Sequence, residues 1–427
     1  MNPLTQRTFF GYPSNTYWGQ TLTNFRFTSV TTDGSENVYL AGFDIDGAGN
    51  SVDVQTFNFD PYGAIKWQKS IGSGISQQFP QISRSNNGNL YISVRTTWNP
   101  TSTYEAASLK YNSSGTLQWQ RRLTGYTGTG AIGVAIDSNE NQYYSGYTDV
   151  GGGNSNYQAL FYKRNSAGTL QWQRIFGTTS SPGGQDFPKK VVIDKSENNV
   201  YVLYTTYVGA TRSYVAKYNL SGTLQWQKYL GHYTVGMSKD DNDYIYIAGA
   251  HSSGNPYVMK FDSSGTTQWS KTLGCSGRYH SVYVYNGNVY CAGVRGNYPS
   301  TFFLMTKYDS LGNLQWQREL SYSGRSVLPE NDDNGIAADS RGNIYYCTTG
   351  YSPSAPTWMG IFLKLPENGS KIGTYGNYTI SQSAYSDSSV SISLTTDGIG
   401  DSAASMSESA SSWSESTPSW SPTFTSI

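Results

Sequence analysis

The chain alternates between apolar and polar residues at every second position in short runs, and each run ends in a polar turn. Residues 117–120 show the pattern plainly: Leu117 and Trp119 fall on one face of a strand, Gln118 and Gln120 on the other. Just before them, Asn112 and the Ser-Ser-Gly of 113–115 form a turn with a side-chain acceptor and a residue able to take positive φ. The same hairpin recurs. Segments 59–67, 111–119, 164–172, 218–226, 261–269 and 308–316 align, ending in Trp67, Trp119, Trp172, Trp226, Trp269 and Trp316. A seventh segment, 365–373, has no tryptophan. The tryptophans stand 43 to 54 residues apart, the length of one four-stranded propeller blade.

A second hairpin precedes each of these, at residues 30–39, 82–91, 134–143, 192–201, 237–246, 282–290 and 336–345. Each is a β-rich run, a polar turn and a second run such as the Val-Tyr-Leu-Ala-Gly that begins at Val38. Two hairpins per unit and seven units predict an all-β fold, a β-propeller of seven four-stranded blades over residues 1–380. The segment 6–11 (Gln-Arg-Thr-Phe-Phe-Gly) resembles the end of a tryptophan strand, as at 173–177, but has no hairpin ahead of it. It is predicted to add to the final blade and close the ring, leaving no open edge strand. The tryptophans recur at one place in six of the seven units, which predicts packing between blades rather than a stacking site for ligands.

Composition agrees with many short strands and glycine turns: 46 Gly, 36 Tyr and only 14% charged residues. Basic and acidic residues number 29 each, so the chain lacks the electrostatic footprint of a nucleic-acid binder. Residues 1–10 carry no basic n-region and no apolar h-region, so no secretory signal is predicted. No run of about 18 apolar residues exists, so no membrane insertion is predicted. The expected route is synthesis in a host cytoplasm and release by lysis or within a particle.

From residue 381 the character changes, and 18 of the last 47 residues are serine. No Lys or Arg follows Lys371. Composition alone suggests a linker, yet segments 389–394 and 405–411 alternate with period two, as strands do. Residues 381–427 are therefore predicted to form an ordered, Ser-rich C-terminal assembly arm, anchored by Trp413, Trp420 and Phe424 and docked on a neighbouring subunit.

Candidate chemistry is sparse. His232, His251 and His280 show no metal-ligand spacing, and Cys275, Cys291 and Cys347 read as free thiols. The turn acids Asp33, Asp137, Asp194, Asp240 and Asp339 could ligate calcium, with 240–243 the best cluster and Asp44 with Asp46 second. Neither completes a calcium loop, and Asx-turn capping explains them more simply. The Ser-Ser-Gly-Thr element superficially resembles the Asp-box of sialidase propellers, but Asp262 and Asn112 stand three residues before the glycine where that motif needs two. No cofactor, metal site or catalytic set is predicted, and no enzymatic activity. The recognition surface is expected on the irregular loops 97–104, 150–157, 178–184 and 351–358, with their aromatic tips.

The repeat resembles the bacterial and phage SBBP-type β-propeller family, whose pattern Asp-x-x-Gly-Asn-x-Tyr stands here at Asp339 to Tyr345 and, in part, at Asn286 to Gly293. The resemblance covers about residues 25–375 and implies a fold far more than a function. Its style is also similar to virion proteins of tailed phages. That implies a structural virion protein, with other virion proteins or copies of itself as partners and a host-surface glycan as candidate ligand. A cell-surface adhesin or lectin is the alternative, and a glycan hydrolase or lyase the third reading.

Overall fold

The computed structural model describes residues 8–10, 17–46, 50–72, 77–97, 104–124, 127–150, 157–177, 185–208, 210–296, 300–322, 326–327, 335–352, 357–375, 378–390, 395–396, 400–403, 407–410, 414–416 and 425–426. These residues form strands and turns, with no helix among them. Seven antiparallel sheets make a β-propeller of seven four-stranded blades. From the central channel outward, blade 1 runs Phe25–Thr32, Val38–Ile45, Ser51–Phe59 and Ile65–Gly72. Blades 2 to 6 repeat this order over residues 77–124, 127–177, 186–229, 233–273 and 277–322.

Blade 7 draws on both ends of the chain. Its inner strands are Gly335–Ala338, Ile344–Ser352 and Thr357–Leu365, and its fourth strand is Tyr17–Thr23. Segment 6–11 is therefore not the closing strand: Thr8–Phe10 pairs one position further out, on the far edge of Tyr17–Thr23. Register gives the reason. Trp18 stands opposite Lys364, as Trp119 stands opposite Lys110, Trp172 opposite Lys163 and Trp316 opposite Lys307. The tryptophan missing after residue 365 is supplied from the N-terminal side.

The core lies between blades. Phe25, Phe27 and Phe57 of blade 1 pack with Tyr345 and Phe362 of blade 7, all fully buried, and such burial drives the ring together. Each described repeat tryptophan also clasps the next blade. Trp Nε1 donates to a carbonyl of that blade's outer turn, from Trp67 to Ser113 at 3.3 Å, Trp119 to Ser166 at 3.4 Å and Trp172 to Leu220 at 3.3 Å. Trp226, Trp269 and Trp316 continue the series with Ser263, Ser310 and Glu367 at 3.2, 3.0 and 3.0 Å. The glycine of the turn serves this contact twice over. Gly222 has φ +77°, and a Cβ there would stand 2.9 Å from the Trp172 ring.

Antiparallel pairing puts the first and third connections of every blade on one face of the ring, here the turn face. The second connections and the crossings between blades share the other, the loop face. On the turn face, Asp33 Oδ1 accepts from the backbone of Ser35 and Asn37, and Oδ2 from Asn37 Nδ2 and Tyr39 OH. Asp339 repeats the motif in full, and Asp137 in blade 3 does likewise. These are Asx turns that use the carboxylate oxygens completely.

A second set of acids joins neighbouring blades. Glu36, Glu140, Glu197 and Asp243 hold the left-handed position of these turns, with φ of 63°, 60°, 53° and 63°, a conformation that strains a side chain with a Cβ. Each reaches the preceding blade. Glu140 accepts from Ser85 and Asn89 at 2.7 Å each and from Lys110 at 3.0 Å. Glu197 binds Ser138, Asp243 the backbone of Ser196, and Glu36 the Arg341 guanidinium. Blade 2 has Ser85 where the Asx aspartate would stand, and Glu140 brings a carboxylate there from blade 3. Bonds across the blade boundary offset the backbone strain.

The tail runs back around the ring. Tyr378–Gln382 pairs with the outer strand of blade 6, Asp387–Ser389 with blade 5, Thr395–Thr396 with blade 4 and Gly400–Ala403 with blade 3. Ser407–Ala410 follows on blade 2, Ser414–Ser416 on blade 1 and Thr425–Ser426 on the closing strand of blade 7. The expected arm was to dock on a neighbouring subunit, whereas its described strands take the free edges of the chain's own blades. Every tryptophan strand offers such an edge of unpaired backbone groups, and a short serine strand satisfies it. Where the tail leaves blade 6, Tyr385 OH donates to Glu319 at 2.6 Å, and Asp387 meets Lys271 at 3.6 Å. Trp413, Trp420 and Phe424 lie outside the described residues.

Candidate functional site

The inner strands of the blades enclose a channel of about 340 Å³. Its wall mixes small polar residues, Ser29, Ser83, Ser238 and Ser281 among them, with aliphatic ones. Lys190 of blade 4 donates to Gln81 Oε1 of blade 2 at 2.8 Å, and Lys239 enters from blade 5. Burial, then the charge of Lys195, lowers the Lys239 ammonium from its usual range.

On the loop face, aromatic rings and Arg95 follow one another across the boundaries of blades 1 to 4. Phe43 of blade 1 meets Phe79 of blade 2, with centroids 6.1 Å apart. The Arg95 guanidinium lies over Phe79 at 5.3 Å and over Tyr104 at 4.0 Å. In blade 3, Tyr147 packs on Tyr157 at 5.1 Å and on Phe187 of blade 4 at 5.0 Å, and Phe187 continues to Tyr207 at 6.0 Å. Arg95, Tyr157 and Tyr104 all act electrostatically on the Tyr147 hydroxyl, which burial raises above its ordinary range. Phe79, Tyr104, Tyr157 and Phe187 are half-buried, and Tyr207 is 38% exposed.

The described residues of the predicted recognition loops 97–104, 150–157 and 351–358 belong to this face: Tyr104, Val150, Tyr157, Tyr351 and Trp358 among them, the last two 4.8 Å apart between ring centroids. Residues 98–103, 151–156, 178–184 and 353–356 lie outside the described set. The tryptophan series is on the opposite side of the blades, in the turns. Sequence reasoning missed Phe43, Phe79, Arg95, Tyr147, Phe187 and Tyr207, because each looks like an ordinary strand residue. The available signal was departure from the repeat, since these positions are not aromatic in every blade.

The remaining candidates are scattered. His232 and His251 stack at 4.3 Å between blades 4 and 5, and burial, then the facing His251, pushes His232 down to about 4. His280 is buried and accepts from Arg278 Nε at 3.0 Å; burial, then Arg278 and Lys189, hold its imidazole well below the usual range. Cys275, Cys291 and Cys347 are buried free thiols. Asp240 caps its own turn, Asp241 pairs with Lys195 at 3.4 Å, and Asp46 accepts from Asn50. Among the described residues no three His, Cys, Asp or Glu side chains come together as a metal site. At the loop-face end of blade 1, burial and then Asp53 push the Asp44 carboxyl up to about 7, against a 2.7 Å hydrogen bond from Gln55 that lowers it.

No family model and no curated protein matches the sequence. Solved structures do match in fold. A phage phi92 endosialidase has 10% identity and a TM-score of 0.47, over 84% of this chain and 71% of its own. An acylaminoacyl peptidase from Pyrococcus horikoshii has 10% identity and a TM-score of 0.47, over 80% of this chain and 52% of its own. A Penicillium chrysogenum α-L-arabinanase complexed with arabinobiose has 9% identity and a TM-score of 0.44, over 81% and 97%. The chain thus spans about half of the peptidase. Likeness at this level assigns no role to this chain. The expectation of no enzymatic activity is corrected all the same: most of the similar solved structures are enzymes, so that exclusion does not stand.

Proposed function

We propose that the chain is a rigid recognition platform of a tailed-phage virion, meeting the host surface or another virion protein through its loop face. The observation that carries this reading is the contrast in the ring. The turn face is closed by repeated hydrogen bonds, while the loop face gathers non-repeating aromatics and Arg95 across blades 1 to 4. The SBBP-type repeat, similar to phage proteins in style, supports the virion setting. The test has two arms: the full chain is assayed for binding to intact bacteria, and antibodies against it are assayed for labelling of tailed-phage particles by electron microscopy. Specific cell binding blocked by antibodies to the loop face, together with particle labelling, is the expected result. Absence of both removes the reading.

A second reading, cleavage of a glycan, is favoured by Asp44 alone, whose carboxyl at about 7 suits a general acid. Turnover of a polysaccharide by the wild type and its loss in Asp44→Asn would support it. Equal turnover in both would exclude Asp44 from the chemistry.

A further inference from the structure

We infer that the aromatic arc over blades 2 to 4 is a binding site for a polysaccharide chain, whose pyranose rings lie on Tyr104, Tyr157 and Tyr207 beside Arg95. The inference rests on the loop face being the recognition surface and names what that surface takes.

Three observations point to sugar. The first is exposure. Core tyrosines such as Tyr91, Tyr143 and Tyr201 are fully buried, whereas Tyr104 and Tyr157 are half-buried and Tyr207 is 38% exposed. Such a tyrosine offers an apolar ring to the C–H face of a pyranose and a hydroxyl to its edge. The second is rigidity. Tyr147 and Phe187 hold the arc from beneath, with edge-on ring contacts of 5.1, 5.0 and 6.0 Å linking Tyr157 to Tyr207. A platform fixed before binding loses little conformational entropy when it binds.

The third is what the surface lacks. Among the described residues the exposed large hydrophobics are Tyr62, Tyr207, Leu311 and Ile372, and of these only Tyr207 is on the loop face. The apolar centre of a protein interface would need more. Charge on the arc is also largely committed, as Glu105 pairs with Arg122 at 3.0 Å. Arg95 is committed as well, its guanidinium 4.0 Å over Tyr104 and hydrogen-bonded to the buried Tyr147 hydroxyl, so it braces the rings of the arc.

The test is affinity electrophoresis of the full chain in gels carrying xylan, laminarin, dextran or polygalacturonate, followed by titration with the best of these. At least one polysaccharide is expected to retard the wild type. Tyr157→Ala and Tyr207→Ala should each weaken binding tenfold or more with unchanged melting temperature, and Tyr62→Ala on the turn face should bind as the wild type does. Retained binding in the Tyr157→Ala/Tyr207→Ala double variant overturns the site. Cell binding without retardation by any polysaccharide overturns the ligand class while leaving the platform standing. Absence of cell binding and of retardation together removes both.

Discussion

Asp339 and Asp44 belong to opposite faces of the ring, and their surroundings differ in kind. Asp339, in a turn of blade 7, accepts four hydrogen bonds from residues 341–345, with Tyr345 OH at 2.9 Å. Asp44, at the loop-face end of blade 1, has a 2.7 Å bond from Gln55 and a carboxyl pushed up by burial and by Asp53. One face uses its acids to fix backbone and to tie each blade to the next. The other leaves aromatic rings part-exposed and an acid poorly solvated. The turn face repeats its contacts from blade to blade and maintains the fold, whereas the loop face differs from blade to blade.

The contrast can be broken at several points. The largest effect is expected from Trp172→Ala, which removes the clasp onto Leu220 and the packing on Tyr143 and Phe161. It should lower unfolding free energy by about 3 kcal/mol in denaturant titration, since large aromatic deletions cost of that order. Asp339→Ala should follow with a loss of roughly 2 kcal/mol, because buried donors are left unpaired. Glu140→Gly relieves the left-handed strain but loses the bonds to Ser85, Asn89 and Lys110. A net loss of about 1 kcal/mol is expected for it. Tyr207→Ala, on the loop face, should change stability by less than about 0.5 kcal/mol.

Acid should move the two faces in opposite directions. Burial raises Glu140, but hydrogen bonds from Ser85, Asn89 and Lys110 outweigh it and hold the carboxyl at about 2, below its ordinary 4.5. Its contribution is full above 4.5 and is lost as pH falls toward 2. Asp44 titrates at about 7 in the fold against an ordinary 3.8. Its contribution is full below 3.8 and is lost as pH rises through 7. Melting curves should therefore show Glu140→Gln converging on wild type toward pH 2, and Asp44→Asn gaining on it between pH 4 and 7. Parallel pH profiles would show that neither carboxyl senses its face.

The blades were legible because their signals are local and recur: an Asx turn, an alternating strand, a tryptophan at fixed spacing. Closure was legible in kind but not in place. Tyr17–Thr23 carries Trp18 without the turn of Asp or Asn three residues before Gly that marks the other tryptophan strands, so the repeat pattern passes over it. Glu36, Glu140, Glu197 and Asp243 were hidden for another reason: a charged residue in a polar turn looks solvated, and only assembly of the ring shows its partner in the preceding blade. The arc of Arg95, Tyr147 and Phe187 is assembled from residues on separate blades, so no single stretch of sequence contains it.

The returning tail gives the ring a mechanical character of its own. Its strands lie on blades 6, 5, 4, 3, 2, 1 and then 7, counter to the order in which the chain built them. A force applied at the C-terminal end therefore meets one short strand at a time, beginning at blade 7 and ending at blade 6, while the tryptophan clasps beneath carry none of the load. Extension should proceed as a series of small, low-force releases, with the ring staying shut until the last strand leaves Leu314–Tyr322 of blade 6.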